Sequence, residues 1–108
     1  MLFRSKEIIK VGGNRVSAKE VEECLMENAA VLEVAVVGIA DEVLVEAVKA
    51  FVVLRPGVAV DVEQLREHCL MRIASYKVPK QFQIMTSLPK YQTGKVNKPV
   101  LKQMSVGA

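Results

Sequence analysis

Val31-Leu32-Glu33-Val34-Ala35-Val36-Val37-Gly38-Ile39 and, after a short joint, Ala47-Val48-Lys49-Ala50-Phe51-Val52-Val53-Leu54 decide the fold. Both stretches are rich in valine, whose branched Cβ suits a pleated strand, and both are apolar at almost every residue rather than at every second one. That pattern predicts central strands covered on both faces. The joint, Ala40 to Glu46, is acidic and is expected at the surface.

Upstream, Glu7 to Val11 and Asn14 to Val16 are short β-compatible runs around Gly12-Gly13. Two adjacent glycines suit a two-residue hairpin turn because both can take positive φ. Ser17 with Glu20 three positions on forms a capping box, and Ala18, Val21, Cys24 and Leu25 repeat at helical spacing, which predicts a helix from about Ala18 to Asn28. Downstream, Arg55-Pro56-Gly57 closes the second long strand. Asp61 caps a second helix whose buried stripe is Val62, Leu65, Cys69 and Ile73, running to about Ala74, and Val78-Pro79 stops any continuation. Gln81-Phe82-Gln83-Ile84 alternates strictly and predicts a half-buried strand. Asn97 caps a last short helix, with Pro99 tolerated in its first turn. The expected fold class is α+β: a small N-terminal β-hairpin and a three-stranded sheet with helices packed on it, all in one domain spanning residues 1–108.

Composition narrows the function. The 108 residues are 51% hydrophobic and 25% charged, an ordinary globular balance that argues against disorder. The wholly apolar run Val34 to Ala40 is far below the roughly 20 residues that span a bilayer. Met1-Leu2-Phe3-Arg4 has no apolar region of signal-peptide length, so a cytoplasmic location is expected. The net charge of +3 permits an anionic partner, but the basic residues are spread along the chain and aromatics are 5% of it. Cys24 and Cys69 fall on apolar helix faces as buried free thiols, with no Cys-x-x-Cys spacing. His68 stands alone and reads as a solvated surface residue; no metal ligand set is expected.

The chemistry concentrates in Leu88-Pro89-Lys90-Tyr91-Gln92-Thr93-Gly94-Lys95-Val96-Asn97-Lys98. Pro89 and Gly94 flank short polar residues, which predicts an exposed loop delivering the Lys95 charge to a partner. A phosphate-cradling P-loop would need a glycine at Pro89 and Ser or Thr at Val96, so the stretch is not one.

The stretch closely resembles the C-terminal signature of adenylate-forming enzymes, the acyl-CoA synthetases, nonribosomal peptide synthetase adenylation domains and luciferases: Leu88-Pro89-Lys90, then Thr93-Gly94-Lys95, Val96 and Lys98, where an Arg is frequent. Arg4-Ser5-Lys6-Glu7-Ile8-Ile9-Lys10-Val11-Gly12-Gly13-Asn14-Arg15-Val16-Ser17 resembles a second family motif, and Ala47 to Leu54 and Ser75-Tyr76-Lys77-Val78-Pro79-Lys80 follow in the family's order. The resemblance covers nearly the whole chain. It implies the C-terminal lid domain of an AMP-forming acyl-CoA synthetase, which adenylates a carboxylic acid with ATP and then passes the acyl group to CoA. It implies Lys95 as the catalytic cation, Arg4, Lys10 and Arg15 toward nucleotide, Gly12 and Gly13 beside CoA, and Lys6 as the hinge. Mg2+ would be bound mainly by a large N-terminal adenylation domain outside this sequence, which is the implied partner, so the chain alone is expected to be inactive. Two departures stand out: Phe3 where an acid is usual, and Val45 where many members have Gly.

Three other readings compete. A nonribosomal peptide synthetase lid would differ in its acceptor. A subunit that docks on a separate adenylating protein would share the motifs. A small basic RNA-binding module would use Gly12-Gly13-Asn14-Arg15, but single-strand recognition wants aromatic platforms and the chain has no Trp; no nucleic acid is expected.

Overall fold

The two valine-rich stretches pair as β3 (Val31–Asp41) and β4 (Val45–Leu54), antiparallel from Val31↔Leu54 to Asp41↔Val45 with one register shift between Val31 and Glu33. The computed structural model describes residues 7–106. The other elements are β1 (Ile8–Val11), β2 (Asn14–Ser17), α1 (Ala18–Met26), α2 (Val62–Leu70), a 3₁₀ turn at Ser75–Lys77, β5 (Gln81–Met85) and α3 (Lys98–Val106). The α+β class holds. The hairpin β1–β2 is continuous with the sheet: β4 shares one edge between β5, parallel from Lys49↔Gln81 to Val53↔Met85, and β1, antiparallel at Val11↔Val45.

Alternate residues of β3 and β4 feed opposite faces, which is why both strands are apolar throughout. Val36, Val48 and Val52 pack with Val21 and Leu25 of α1 and Leu65 of α2; Ala35, Val37, Phe51 and Val53 pack with Leu88 and with Leu101 of α3. The expectation of two central strands is corrected for β3. Both of its faces are covered, yet it lies at the sheet's edge. Its Val36 N–H, which a further strand would have engaged, donates to Glu22 Oε2 of α1 at 2.9 Å.

Ser17 caps α1 by accepting from the Glu20 N–H at 3.3 Å, but the expected box is only half made. The Glu20 carboxylate turns instead to Lys77 Nζ, 3.1 Å away. The full box closes at α2, where Asp61 Oδ1 accepts from the Gln64 N–H and Gln64 Oε1 from the Asp61 N–H. Both helices end before their expected limits. At α2 the Arg72 and Ile73 N–H groups converge on the Cys69 carbonyl, each at 2.9 Å, and the chain leaves the helix.

His68 is a second correction: it is buried, with Nε2 2.7 Å from the Cys24 carbonyl oxygen, to which it donates. It lies on the same i, i+3, i+4 stripe of α2 as Leu65 and Cys69. Cys24 and Cys69 are buried free thiols. Burial, with Cys24 alongside, pushes the Cys69 thiol up to about 12. Among the described residues no helix is long and apolar enough to cross a membrane.

Candidate functional site

The segment carrying Lys95 is a pinned hairpin. Leu88 anchors it in the core below α3. Lys90 and Val96 face each other in an antiparallel bridge, the Tyr91 N–H donates to the Lys95 carbonyl at 2.8 Å, and the Gly94 N–H donates to the Tyr91 carbonyl at 2.9 Å. Gly94 stands at φ +92°, where a side chain is strained, so glycine is required by the turn itself. Val96 packs inward and Lys95 points outward, exposed. Among the described residues no side chain pairs with the Lys95 ammonium. Its neighbours in the motif are engaged: Lys90 Nζ lies 2.9 Å from Glu33 Oε1, and Lys98 Nζ bonds Glu7 and, at 2.8 Å, Glu22. Of the motif's three lysines, two hold the loop and the third is left for something else. The exposed loop expected here is a hydrogen-bonded one: reach lies in the Lys95 side chain, since the backbone beneath it is hydrogen-bonded on both sides.

The Gly12-Gly13 turn links Val11 and Asn14 across two residues. Gly12 takes φ +60° and donates its N–H to the Leu44 carbonyl at 2.7 Å; Gly13 is not at positive φ, which gives the sign pattern of a type II′ rather than a type I′ turn. The turn therefore requires glycine at one position, not two. A Cβ on Gly13 would meet nothing within 4 Å among the described residues. Lys10 and Arg15, registered opposite each other on the hairpin, present two exposed cations on its outer face. Like charges so placed oppose pairing, a local cost the hairpin carries. Arg4 and Lys6 lie outside the described residues.

The loop and the turn sit at opposite ends of the sheet. Lys90 is tied to Glu33 near the start of β3, whereas Gly12 bonds Leu44 in the joint that follows β3 at Asp41. Glu33 and Asp41 are eight residues apart on one strand, about 26 Å at the usual rise. One group of residues went unread in the sequence: a groove of about 490 Å³ opens beside Gly12, walled by Asn14, Leu44, Arg66, Tyr76 and Lys80. The run Ser75 to Lys80 was its visible sign. Across the groove's rim Lys80 Nζ reaches Asp41 Oδ2 at 2.7 Å. Among the described residues no three His, Cys, Asp or Glu side chains gather to hold a metal ion.

A sequence model described as the AMP-binding enzyme C-terminal domain matches residues 20–95. The chain belongs to this family. This AMP-binding C-terminal domain is 44% identical over 93 residues to the long-chain-fatty-acid–CoA ligase of Bacillus subtilis, covering 86% of the chain and 17% of that protein. It is 41% identical to the acetyl-coenzyme A synthetase of Pyrobaculum aerophilum, covering 100% of the chain and 17% of that protein. An acyl-CoA synthetase of Brucella canis superposes with a TM-score of 0.88 at 33% identity, covering 97% of this chain and 20% of that one. The AMP-binding C-terminal domain thus spans less than a fifth of the curated relatives named here.

Proposed function

We propose that the chain is a single lid domain of a cytoplasmic AMP-forming acid–thiol ligase, closing over an N-terminal adenylation domain in two orientations. The observation that carries this is the placement of the Lys95 loop and the Gly12-Gly13 turn at opposite ends of one sheet. A site that needs both cannot have both from one pose of the lid. In the first step the carboxylate of the acid attacks the α-phosphorus of ATP and pyrophosphate leaves. Charge builds on the phosphoryl oxygens, and an exposed lysine on a hydrogen-bonded loop is a cation positioned in advance. In the second step the CoA thiol attacks the acyl carbonyl and AMP leaves. The bare Cα of Gly13 then lets the pantetheine arm pass, and the groove beside Gly12 gives it a wall. Lys10 and Arg15 supply positive charge toward nucleotide or coenzyme phosphates, Arg4 the contact to the ribose, and Lys6 the hinge on which the lid turns. Mg2+, bound to the nucleotide, would be held by the N-terminal domain, and the acid pocket lies there too. Buried reduced thiols such as Cys24 and Cys69 suit the cytoplasm.

The test is made in the complete ligase by measuring the half-reactions separately. Lys95→Ala is expected to lose adenylation by on the order of 10² while still converting supplied acyl-adenylate to thioester. Gly13→Leu is expected to form adenylate and fail to hand it to CoA. Equal loss of one half-reaction by both variants overturns the reading.

A further inference from the structure

Lys49 stands in the middle of β4 on the face covered by α3, 7% exposed. Its ammonium donates to Ser105 Oγ at 2.9 Å and lies 4.7 Å from the centroid of the Phe51 ring. Ser105 Oγ in turn donates to the Leu101 carbonyl. Among the described residues no carboxylate comes within ion-pairing distance of Lys49, so a buried cation with three donor hydrogens has one hydroxyl and one aromatic face for company. Burial without a counter-charge pushes its pKa down. Desolvating a charge in this way costs stability unless something compensates it.

The same ammonium lies at the wall of a groove of about 570 Å³ between β5 and the end of α3, which Gln81, Gln83, Lys102 and Ser105 also line. Gln81 is registered beside Lys49 and Gln83 beside Phe51 on the parallel pair β4–β5, so both amides stand on the same face as the lysine. Among the described residues no acid lines this groove. Lys102 also borders a smaller cavity that contains two acids, both already engaged: Glu46, which accepts the Lys10 N–H, and Glu7, which is bonded to Lys98.

We infer that this groove is a binding site for a phosphate group, held by Lys49 and Lys102 and oriented by the Gln81 and Gln83 amides. Two ammoniums lining a groove that has no acid among its described lining residues match a charge near −2, which a phosphate monoester carries at neutral pH and a carboxylate does not. The donors left over, two on Lys49 with those of Lys102 and the two amides, suit the three terminal oxygens of a phosphoryl group. The site lies on the α3 face of the sheet, away from the Gly12 groove, whose wall belongs to α2 and the 3₁₀ turn. It is therefore independent of the catalytic reading above and adds a second anion site to the lid.

The test titrates the 108-residue chain with inorganic phosphate, glycerol phosphate or acetate at constant ionic strength, following backbone amide resonances. Inorganic phosphate and glycerol phosphate are expected to shift Gln81, Gln83 and Ser105 saturably, and acetate is not. Tighter binding of glycerol phosphate than of the free ion identifies an organic phosphate as occupant, and equal binding identifies the ion. Lys49→Met, which fills the same volume without charge, should weaken phosphate binding tenfold or more, as expected on losing a charge-assisted hydrogen bond. Lys102→Gln, on the exposed side of the groove, tests the same point without touching the core, and Lys19→Gln on α1 should change nothing. Absence of saturable shifts in the unmodified chain, equal binding of acetate, or unchanged affinity in Lys102→Gln overturns the site and leaves Lys49 as a buried lysine satisfied by Ser105 alone.

Discussion

Val45 has φ +74°, and it is the one described residue other than glycine with positive φ. A β-branched side chain there is strained by roughly 1–3 kcal/mol, and the side chain is 66% exposed, so it recovers little by packing. Val45→Gly should therefore stabilise the chain by about 1 kcal/mol after glycine's entropic penalty, raising Tm by roughly 5 °C. Urea unfolding with an unchanged m-value would check it; a lower midpoint would mean the valine has a contact that outweighs its strain. The sequence registered Val45 as out of pattern, because a glycine is usual there, but not the backbone angle that makes glycine usual. The same turn depends on Asp41, whose pKa is held down to about 2 by the Lys80 ammonium and then by the Leu44 and Val43 N–H groups. Its folded value lies below its unfolded value near 3.8. The contribution of Asp41 is thus complete above that pH and is lost as pH falls from there toward 2. Asp41→Asn should flatten the acid-unfolding profile within that window and leave the rest of the profile in place. Residues such as Lys49 and His68 were the least legible, since a polar side chain on an apolar face gives no sign in the sequence of whether it turns outward or finds a buried partner.

At the scale of elements, starts were more legible than ends. Ser17 and Asp61 mark helix N-termini because a short oxygen-bearing side chain satisfies N–H groups that the helix leaves free, and that requirement is local. The ends of α1 and α2 depend on what the chain must reach next, so Met26 and Leu70 carry no comparable sign. The pairing of β1 with β4 through Val11 and Val45 was likewise invisible, because one contact at a strand end leaves no periodicity behind. Lys98 belongs to this scale because it joins three elements. From the first turn of α3 it bonds Glu7, just before β1, and Glu22 on α1. Burial alone would lower its pKa, and the two carboxylates outweigh that and raise it. A raised folded value means its contribution is whole at neutral pH and is lost only as pH climbs through the ordinary lysine range and beyond. Lys98→Met should cost about 1–3 kcal/mol at pH 7, measured by chemical denaturation, because it leaves the Glu7 and Glu22 carboxylates without the cation they share. A neutral result would show that the three elements are held by packing alone.

For the whole molecule, the buried thiols report on cooperativity. With Cys69 pushed up to about 12 and both cysteines in the core between α1 and α2, alkylation at neutral pH should wait for unfolding and should accelerate with denaturant in parallel with the loss of structure. Labelling that runs ahead of unfolding would reveal a separate opening of the two helices from the sheet. The motifs at the two ends of the sheet were legible as separate stretches of sequence, but their distance was not, since it depends on how far β3 runs before the chain turns. Gly12 and Gly94 are held by positive φ, and a Cβ at Gly38 would stand 3.0 Å from Glu46 Oε2 and Ile9 Cγ2, so both side chains would have to shift to admit it. Gly13 is held by nothing among the described residues. In a library of variants selected only for folding, codon 13 should drift freely while the other three resist. Under selection for turnover of the proposed ligase all four should be retained, and the difference between the two libraries at that codon would record a constraint imposed from outside the domain.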